Sequence, residues 1–423
     1  MASYNQRDFW MECAKRGIGE DPLIKTALQQ LSMNPQDINC QQLITSLIHK
    51  YDVRELLHPE PFRRSNPGNR YTVSGSIRMG LVNHTGIEWG ISPDMLTKMM
   101  CVVGRTGGGK TTVIKAIIRE LLKQHKASII VPDRKQDFFD IAFEFKFLYF
   151  LLKDFKDNWC APPEGVLLRL WFNILAEILT TAFELRIAAH GLLVDTLVEL
   201  TKKAAKSSSH FPTLRDVTQR LFEISNSAKG ATKEQALRIG HRISSLLSIV
   251  GDAAASRQGL EWSKLSNRDW ALSLAGLASS LQSLIITIYF AKCLLYRICN
   301  NLRSDKLETL FVLDEASMIF PKTGNKKTSI LLDYFQQARA FGIGVIFASQ
   351  SMNLANEIFA NTATKIAVGG FGHGGDYEAF ASAVGLNRAQ RDFMRTITAP
   401  GSAVVKDLRH PYPFTVQIDR GSS

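Results

Sequence analysis

Hydrophobic residues along the chain form short continuous runs that alternate with stretches of helical spacing. Each run is only a few residues long, which is typical of a buried strand. Five runs are predicted as strands: 99–103, 127–131, 309–313, 344–348 and 365–368. Segments between them, including VIKAIIRELLK after Thr112, LLDYFQQARAF and NEIFANT, place apolar residues every three or four positions and predict helices. Strands that alternate with helices indicate βαβ units, so the pattern predicts an α/β fold with a mainly parallel sheet.

The N-terminal part of the chain has a different pattern. Residues 1–60 are predicted to be mainly helical, with an apolar face made of Trp10, Leu23, Ile24, Leu28 and Leu31. A cluster of prolines and Gly68 then indicates a linker, and the stretches YTVSGSIRMGLV and IEWGI after it predict short strands.

A long region from 138 to 307 is predicted to be largely helical. Thr213 and Asp216 have the spacing of a capping box, which predicts that a helix begins there. The run KKAAKSSS, at 202–209, predicts a polar surface loop. Residues 270–291 carry no charge and are long enough to cross a bilayer. Their serines and the glycine at 276 favour a different interpretation, a strand (WALSLAGL) followed by a buried helix.

Composition narrows the class of protein. The chain has 423 residues, of which 45% are hydrophobic and 21% charged, as in ordinary globular proteins. Its six cysteines show no metal-ligand or C-x-x-C spacing and no signal peptide opens the sequence, so we expect a reducing, cytoplasmic location without a membrane partner. The net charge of +12 favours a polyanionic partner such as nucleic acid, although plain solubility charge would give the same balance.

The stretch GRTGGGKTT, at 104–112, carries the clearest chemistry. It matches the phosphate-loop pattern G-x-x-x-x-G-K-[ST] at every fixed position and lies between a predicted strand and a predicted helix. Backbone N–H groups of such a loop cradle phosphates, a role in which Lys110 reaches the β and γ oxygens and the Thr111 hydroxyl holds Mg²⁺. A chance glycine-rich turn is the alternative, but it would require every fixed position of the pattern, the flanking strand and the flanking helix to match by accident. We therefore predict that ATP and Mg²⁺ bind here. The predicted ATP contacts are Gly104, Arg105, Thr106, Gly107, Gly108, Gly109, Lys110, Thr111 and Thr112.

Two carboxylates directly follow the predicted strand FVL. Asp314 and Glu315 would be costly to bury there unless a cation or a catalytic role requires them. In a phosphate-loop enzyme the first binds the metal shell and the second polarises the attacking water, so we predict Asp314 as a metal-linked residue and Glu315 as the catalytic base. A pair simply facing solvent at a strand end is the alternative.

Two further side chains are candidates for the same reaction. Gln350 directly follows the strand GVIFAS, at the sheet edge where ligands bind in open α/β folds. It is predicted to face the γ-phosphate or the attacking water. Arg339, on the preceding helix, is either a surface residue or an arginine finger that acts on a neighbouring subunit. Arg257 is a second candidate for that role.

With these motifs the chain resembles the HerA/FtsK superfamily, and its HerA-like branch in particular. The resemblance covers roughly 71–418 and includes VPDRKQDF, VLDEA, ARAFGIGVIFASQS, ANTATKIAVGG and HPYPFTVQI. In that family an Asp-Pro-Lys-x-Asp pattern commonly ends the second strand, and Arg134 replaces its proline here. The resemblance implies a RecA-like ATPase core, a homohexamer with ATP between subunits, and double-stranded DNA threaded through the ring. It also implies pore-loop contacts to DNA phosphates, for which the candidates are Arg134, Lys135, Lys322, Lys326 and Lys327.

The resemblance also divides the chain into segments. We predict a helical N-terminal segment at 1–60 for partner docking or subunit contact, and the linker, short strands and first part of the ATPase core at 61–137. A mainly helical insertion follows at 138–307, and the second part of the core at 308–423. HerA itself is headed by a small β-barrel that docks its nuclease. A helical segment in its place leads us to expect a different nuclease or effector, as in a phage-defence system.

These features favour an ATP-driven translocase, or helicase, on double-stranded DNA. One alternative is a nucleotide-regulated platform that recruits an effector without processive movement. Another is a conjugative coupling pump, which the expected absence of an N-terminal membrane span disfavours. Stimulation of ATP hydrolysis by DNA distinguishes the translocase from the platform, because ATP hydrolysis by a platform should respond mainly to its protein partner.

Overall fold

The fold is known from a computed structural model that describes residues 6–16, 18–19, 21–57, 60–124, 127–207, 210–320, 330–354 and 356–419. The strands are β1 Ile77–Val82, β2 Glu88–Ile91, β3 Met100–Val103, β4 Ser128–Asp133, β5 Leu148–Leu151, β6 Trp270–Ser273, β7 Ser304–Leu313, β8 Phe341–Ser349, β9 Thr364–Val368, β10 Ser402–Lys406 and β11 Phe414–Ile418. The five strands predicted from apolar runs are confirmed as β3, β4, β7, β8 and β9, with ends that differ by a few residues.

The helices lie between these strands and before them. They are α1 Gln6–Lys15, α2 Pro22–Met33, α3 Ile38–Leu57, α4 Lys110–Gln124, α5 Phe139–Glu144, α6 Leu168–Ala182, α7 Ile187–Ser207, α8 Leu214–Ser227, α9 Gly230–Val250, α10 Asp252–Ala255, α11 Trp262–Leu265, α12 Ser279–Cys299, α13 Ala316–Ile319, α14 Ile330–Ala338, α15 Asn356–Ala360, α16 Gly374–Val384 and α17 Arg388–Met394. Two 3₁₀ helices span Arg70–Thr72 and Pro93–Lys98.

The chain forms two compact units. Unit 1 comprises Met1–Lys126, Asp314–Gly324 and Val345–Ser423, and unit 2 comprises Ala127–Leu313 and Asn325–Gly344. In unit 1 the strand order is β2-β1-β11-β10-β9-β3-β8, with β3 parallel to both β8 and β9. In unit 2 the order is β7-β4-β6-β5, with every pairing parallel. The predicted α/β class with mainly parallel strands is confirmed.

The N-terminal helices of unit 1 pack around a core of their own. Asp21 caps α2 by accepting hydrogen bonds from the N–H groups of Leu23 and Ile24. Ile24, Leu28 and Leu31 are buried as predicted, but Trp10 is 38% exposed and Leu23 60% exposed. Because neighbouring helix positions point about 100° apart, Phe9 and Ile24 occupy the inward face that these two residues miss.

Unit 2 contains most of the predicted helical region. The capping box of Thr213 and Asp216 begins α8 as predicted. The prediction of a polar surface loop at 202–209 is wrong over 202–207, because α7 continues to Ser207, and residues 208–209 lie outside the described residues. Lysine is a good helix former, and Lys203 pairs with Glu199 one turn earlier, so the charged surface face of α7 extends further than its composition suggested. The short strand β5 within 138–307 was also not predicted, and Arg70–Thr72 is helical where a strand was expected.

The uncharged stretch at 270–291 forms β6 and the first part of α12, so the interpretation as a strand followed by a buried helix is confirmed. Within the described residues, α12 alone is long and apolar enough to span a bilayer, and 78% of its most apolar window is buried inside the protein. Just beyond that stretch, Lys292 is 1% exposed and its Nζ atom lies 2.7 Å from Asp157 Oδ2. A buried ion pair is costly to desolvate unless its remaining hydrogen bonds are satisfied, and Lys292 also donates to the Asn158 carbonyl.

Candidate nucleotide-binding site

The loop GRTGGGKTT joins the end of β3 to the start of α4 in unit 1. β3 is buried throughout, and α4 buries Val113, Ile114 and Ile117 on one face, so both flanks of the loop are fixed by packing. Gly104 has a φ of +153° and a Cβ there would lie 2.1 Å from the Val368 carbonyl oxygen. Since no side chain fits in that space, glycine is required for the loop to pass so close to β9.

The rest of the loop curls around the Lys110 side chain. Gly107 and Gly109 have φ angles of +75° and +99°, a region in which side chains cause strain. Lys110 is only 7% exposed, and its Nζ atom donates to the carbonyls of Gly104 (2.8 Å) and Arg105 (2.9 Å). The ammonium group is thus held inside the loop, at the N-terminus of a fifteen-residue helix whose dipole favours anions.

Thr111 and Thr112 form the first turn of α4. Thr111 is half-buried and Thr112 exposed. On the other side of the loop, Arg105 donates its backbone N–H to the Gly370 carbonyl at 2.8 Å and its guanidinium to the Thr398 carbonyl at 3.3 Å. The nine predicted ATP contacts therefore lie on one continuous segment, the anchored loop after β3 and the first turn of α4.

The acidic pair follows β7 and belongs to unit 1 with the loop. Asp314 is buried, whereas Glu315 is half-buried and has a left-handed backbone, with φ and ψ both at 62°. One oxygen of its carboxylate, Oε1, lies 2.5 Å from the Ser317 hydroxyl and 3.3 Å from the Gln350 backbone nitrogen. A non-glycine residue in this conformation is uncommon and persists only where its surroundings hold it.

Gln350 connects the acidic pair to the phosphate loop. Its side-chain Oε1 accepts a hydrogen bond from the Thr106 hydroxyl at 3.0 Å, while its backbone N–H faces Glu315. The structure thus brings together the loop, the acidic pair and the glutamine, as the sequence order suggested. Sequence reasoning missed Ser317 and Ser349, which also contact the Glu315 carboxylate. In the sequence, only their positions close to the acidic pair and to Gln350 could have indicated these contacts.

Other predicted residues lie in unit 2. Arg339 is exposed in the turn that follows α14, one residue beyond the helix on which it was predicted. Arg257 is also exposed. Arg134 donates to the Gln282 side chain, and the next residue, Lys135, is exposed. The remaining pore-loop candidates, Lys322, Lys326 and Lys327, lie outside the described residues.

The loop that carries Arg134 and Lys135 is built around Asp133. The Asp133 carboxylate accepts hydrogen bonds from the backbone N–H groups of Lys135, Asp137 and Phe138 and from the Tyr149 hydroxyl. Burial nonetheless raises the pKa of Asp133 above its ordinary value, because desolvation outweighs these donors. Asp133 therefore shapes this loop from within, so the arginine that replaces the family's proline lies on a well-anchored turn.

The residues present fit a nucleotide with Mg²⁺. The glycines leave a cradle that Cβ atoms would fill, and hydroxyl and carboxylate oxygens of Thr111 and Asp314 are the ligand types that Mg²⁺ prefers. Within the described ranges, no group of three or more His, Cys, Asp or Glu side chains is arranged to hold a metal.

Similarity to known proteins agrees with this geometry. The family model for the central domain of helicase HerA matches residues 77–292, just over half of the chain. No curated protein matches the sequence.

Solved structures share the fold at low sequence identity. VirB4 of Thermoanaerobacter pseudethanolicus is 14% identical, with a TM-score of 0.62 over 82% of this chain and 96% of that one. The plasmid coupling protein TrwB, in complex with ADP and Mg²⁺, is 13% identical, with a TM-score of 0.63 over 84% of this chain and 92% of that one. The RecA-like fold of P-loop ATPases is thereby confirmed.

Proposed function

Because this chain belongs to the family of the HerA central domain, P-loop ATPases of the HerA/FtsK superfamily, we propose that it hydrolyses ATP to move double-stranded DNA. The observation that carries the proposal is the connection from Thr106 through Gln350 to Glu315, which joins a phosphate loop to a catalytic carboxylate. TrwB has been solved with ADP and Mg²⁺, which supports these as ligands here.

The loop residues bind and orient the substrate. Backbone N–H groups of 107–112 and the Lys110 ammonium hold the phosphates, and Thr111 and Asp314 hold Mg²⁺. Bound Mg²⁺ supplies positive charge to the phosphate oxygens as the leaving group departs. Glu315 orients the attacking water and accepts its proton, while Gln350, which directly follows β8, faces the γ-phosphate or the attacking water.

The candidate arginine belongs to unit 2, whereas the phosphate loop belongs to unit 1. We propose that the chain forms homohexamers in which Arg339 of one subunit stabilises charge at the ATP site of the next. Arg339 is exposed and belongs to a turn rather than a buried element, so it is available for such a contact. An arginine finger contributes about 10³–10⁵ in turnover.

Mixing of variants tests the shared site. Arg339→Ala and Glu315→Gln proteins should each be nearly inactive, because one lacks the finger and the other the base. When they are mixed and allowed to exchange subunits, some interfaces regain both groups, and ATPase activity should reappear. Arg257→Ala, mixed with Glu315→Gln in the same way, is the comparison for the second candidate. No recovery with Arg339→Ala would remove that residue from the proposal.

DNA is the proposed cargo. The surplus of twelve positive charges, with Arg134 and Lys135 on the loop that Asp133 anchors, supports contact with phosphates rather than bases. A nuclease or another effector is the proposed partner for the helices α1–α3.

ATP hydrolysis should increase several-fold when long linear duplex DNA is added. The increase should fade between about 50 and about 200 mM salt, because phosphate contacts release counterions. Steady-state phosphate release, with and without DNA, measures this, and Glu315→Gln serves as the blank for contaminating ATPases. A flat response in an active protein would contradict translocation.

That flat response would favour the platform as the second candidate. Leu23, Met33 and Ile38 of the N-terminal helices are exposed apolar residues, which is the kind of surface that a protein partner covers. VirB4 and the coupling protein TrwB share the fold, which supports a coupling-type DNA pump as a further alternative.

A further inference from the structure

Of the hydrogen bonds that the described residues make to the Glu315 carboxylate, the one from the Ser317 hydroxyl is the shortest. Glu315 stands immediately before the one-turn helix α13, and Ser317 is the second residue of that helix. A two-residue offset lets the serine side chain fold back, and its Oγ atom lies 2.5 Å from Glu315 Oε1. An O–H group this close to a carboxylate oxygen is a charge-assisted hydrogen bond, stronger than one between neutral groups.

Counting protons shows which neighbours can donate to Glu315. Ser349 has a single hydroxyl proton, and its Oγ atom lies 2.7 Å from the Ser351 carbonyl but 3.5 Å from Glu315 Oε1. The proton therefore goes to Ser351. Ser317 has one proton as well, and Gln350 contributes its backbone N–H at 3.3 Å. Among the described residues, Ser317 and Gln350 thus both donate to Oε1.

Gln350 also contacts the phosphate loop. Its backbone N–H faces Glu315, and its side-chain oxygen accepts a hydrogen bond from the Thr106 hydroxyl at 3.0 Å. Ser317 instead lies on the same short segment as the carboxylate that it holds. These two donors therefore reach Glu315 from different segments of unit 1.

We propose that Ser317 is a positioning residue for ATP hydrolysis. This inference rests on the proposed function of Glu315 as the base. By holding Oε1, the serine directs the carboxylate's other oxygen toward the attacking water. As the water oxygen bonds to the γ-phosphorus and the bridging P–O bond breaks, ADP leaves with the electron pair and Glu315 takes the water proton. Ser317 keeps its own proton throughout.

Kinetics of three variants test the proposal. Ser317→Ala should lower kcat five- to tenfold with KM for ATP unchanged, because binding lies with the loop and orientation with the serine. Ser317→Thr keeps the hydroxyl and should return kcat to within twofold of the parent. Ser402→Ala, which removes a hydroxyl that donates to the Gln417 side chain at 3.0 Å elsewhere in unit 1, is the matched control and should behave as the parent.

Binding and stability give readouts that do not depend on turnover. The Kd of a fluorescent ATP analogue should be the same for the parent and Ser317→Ala. The Tm should fall more on Ser317→Ala in the parent than in Glu315→Gln, because the serine then donates to a neutral amide instead of a charged carboxylate.

The outcomes separate this inference from the function on which it rests. An unchanged or increased kcat in Ser317→Ala would overturn it while leaving Glu315 as the base. A kcat that falls together with a weaker Kd, and that Ser317→Thr does not restore, would also overturn it by showing a general structural role. If the parent protein bound ATP but did not hydrolyse it, the proposed function would fail and the inference with it.

Discussion

Replacing Lys110 with alanine is expected to weaken MgATP binding at least a hundredfold and to abolish hydrolysis. A hundredfold loss is about 2.8 kcal/mol, in the range that removal of one charged phosphate contact produces. Lys110 is 7% exposed and its ammonium group donates to the carbonyls of Gly104 and Arg105, so its removal also takes away two hydrogen bonds that shape the loop. Both effects lower affinity.

Thermal unfolding of the parent and of Lys110→Ala, with and without nucleotide, tests this expectation. Saturating MgATP should raise the Tm of the parent, because a ligand that binds only the folded state stabilises it. The rise should vanish in Lys110→Ala. Lys123→Ala is a matched control, since Lys123 lies on the same helix but makes an exposed pair with Glu120. A full Tm rise in Lys110→Ala would show that the nucleotide binds elsewhere.

The phosphate loop was predictable because its chemistry is contiguous. Glycines, lysine and threonine at fixed spacing serve the same ligand, and the apolar runs on both sides identify the strand and helix that carry them. Asp314 and Glu315 could be selected as candidates for a similar reason, since two carboxylates after an apolar run need an explanation, and their roles stay predictions. Neither motif depends on a contact between residues that are far apart in the sequence.

Contacts between distant residues could not be predicted in the same way. The bond from Thr106 to Gln350 joins residues 244 positions apart, and nothing local in either motif specifies it. The left-handed backbone of Glu315 is equally hidden, because glutamate has no preference for that region. Lys292 is a charged residue in a mostly apolar helix, and only the fold shows that Asp157 is its ion-pair partner.

Periodicity failed where neighbouring apolar residues compete for one face. Trp10 and Leu23 were assigned to the core of the N-terminal helices because they are apolar, but adjacent Phe9 and Ile24 occupy it. Trp10 and Leu23 therefore lie at the surface, where the proposed partner would bind. The apolar pattern alone could not distinguish this surface from a core.

Replacing Glu315 with glutamine is expected to separate binding from turnover. The amide has nearly the same shape, so nucleotide affinity should change less than threefold. It cannot accept the water proton, however, so kcat should fall by about 10²–10⁴, the range attributed to a positioned general base. Single-turnover phosphate release and the Kd of a fluorescent ATP analogue measure the two quantities separately.

Two features of the structure sharpen this expectation. Glutamine retains an oxygen that accepts from Ser317 and Gln350, so the local hydrogen bonds can persist and the loss would reflect proton transfer. Glu120→Gln, on the exposed surface of α4, controls for the removal of one charge. Hydrolysis at the parent rate in Glu315→Gln would exclude this residue as the base. Slow hydrolysis with intact binding would leave a protein that stays bound to ATP, because the cycle stops before the phosphate bond breaks.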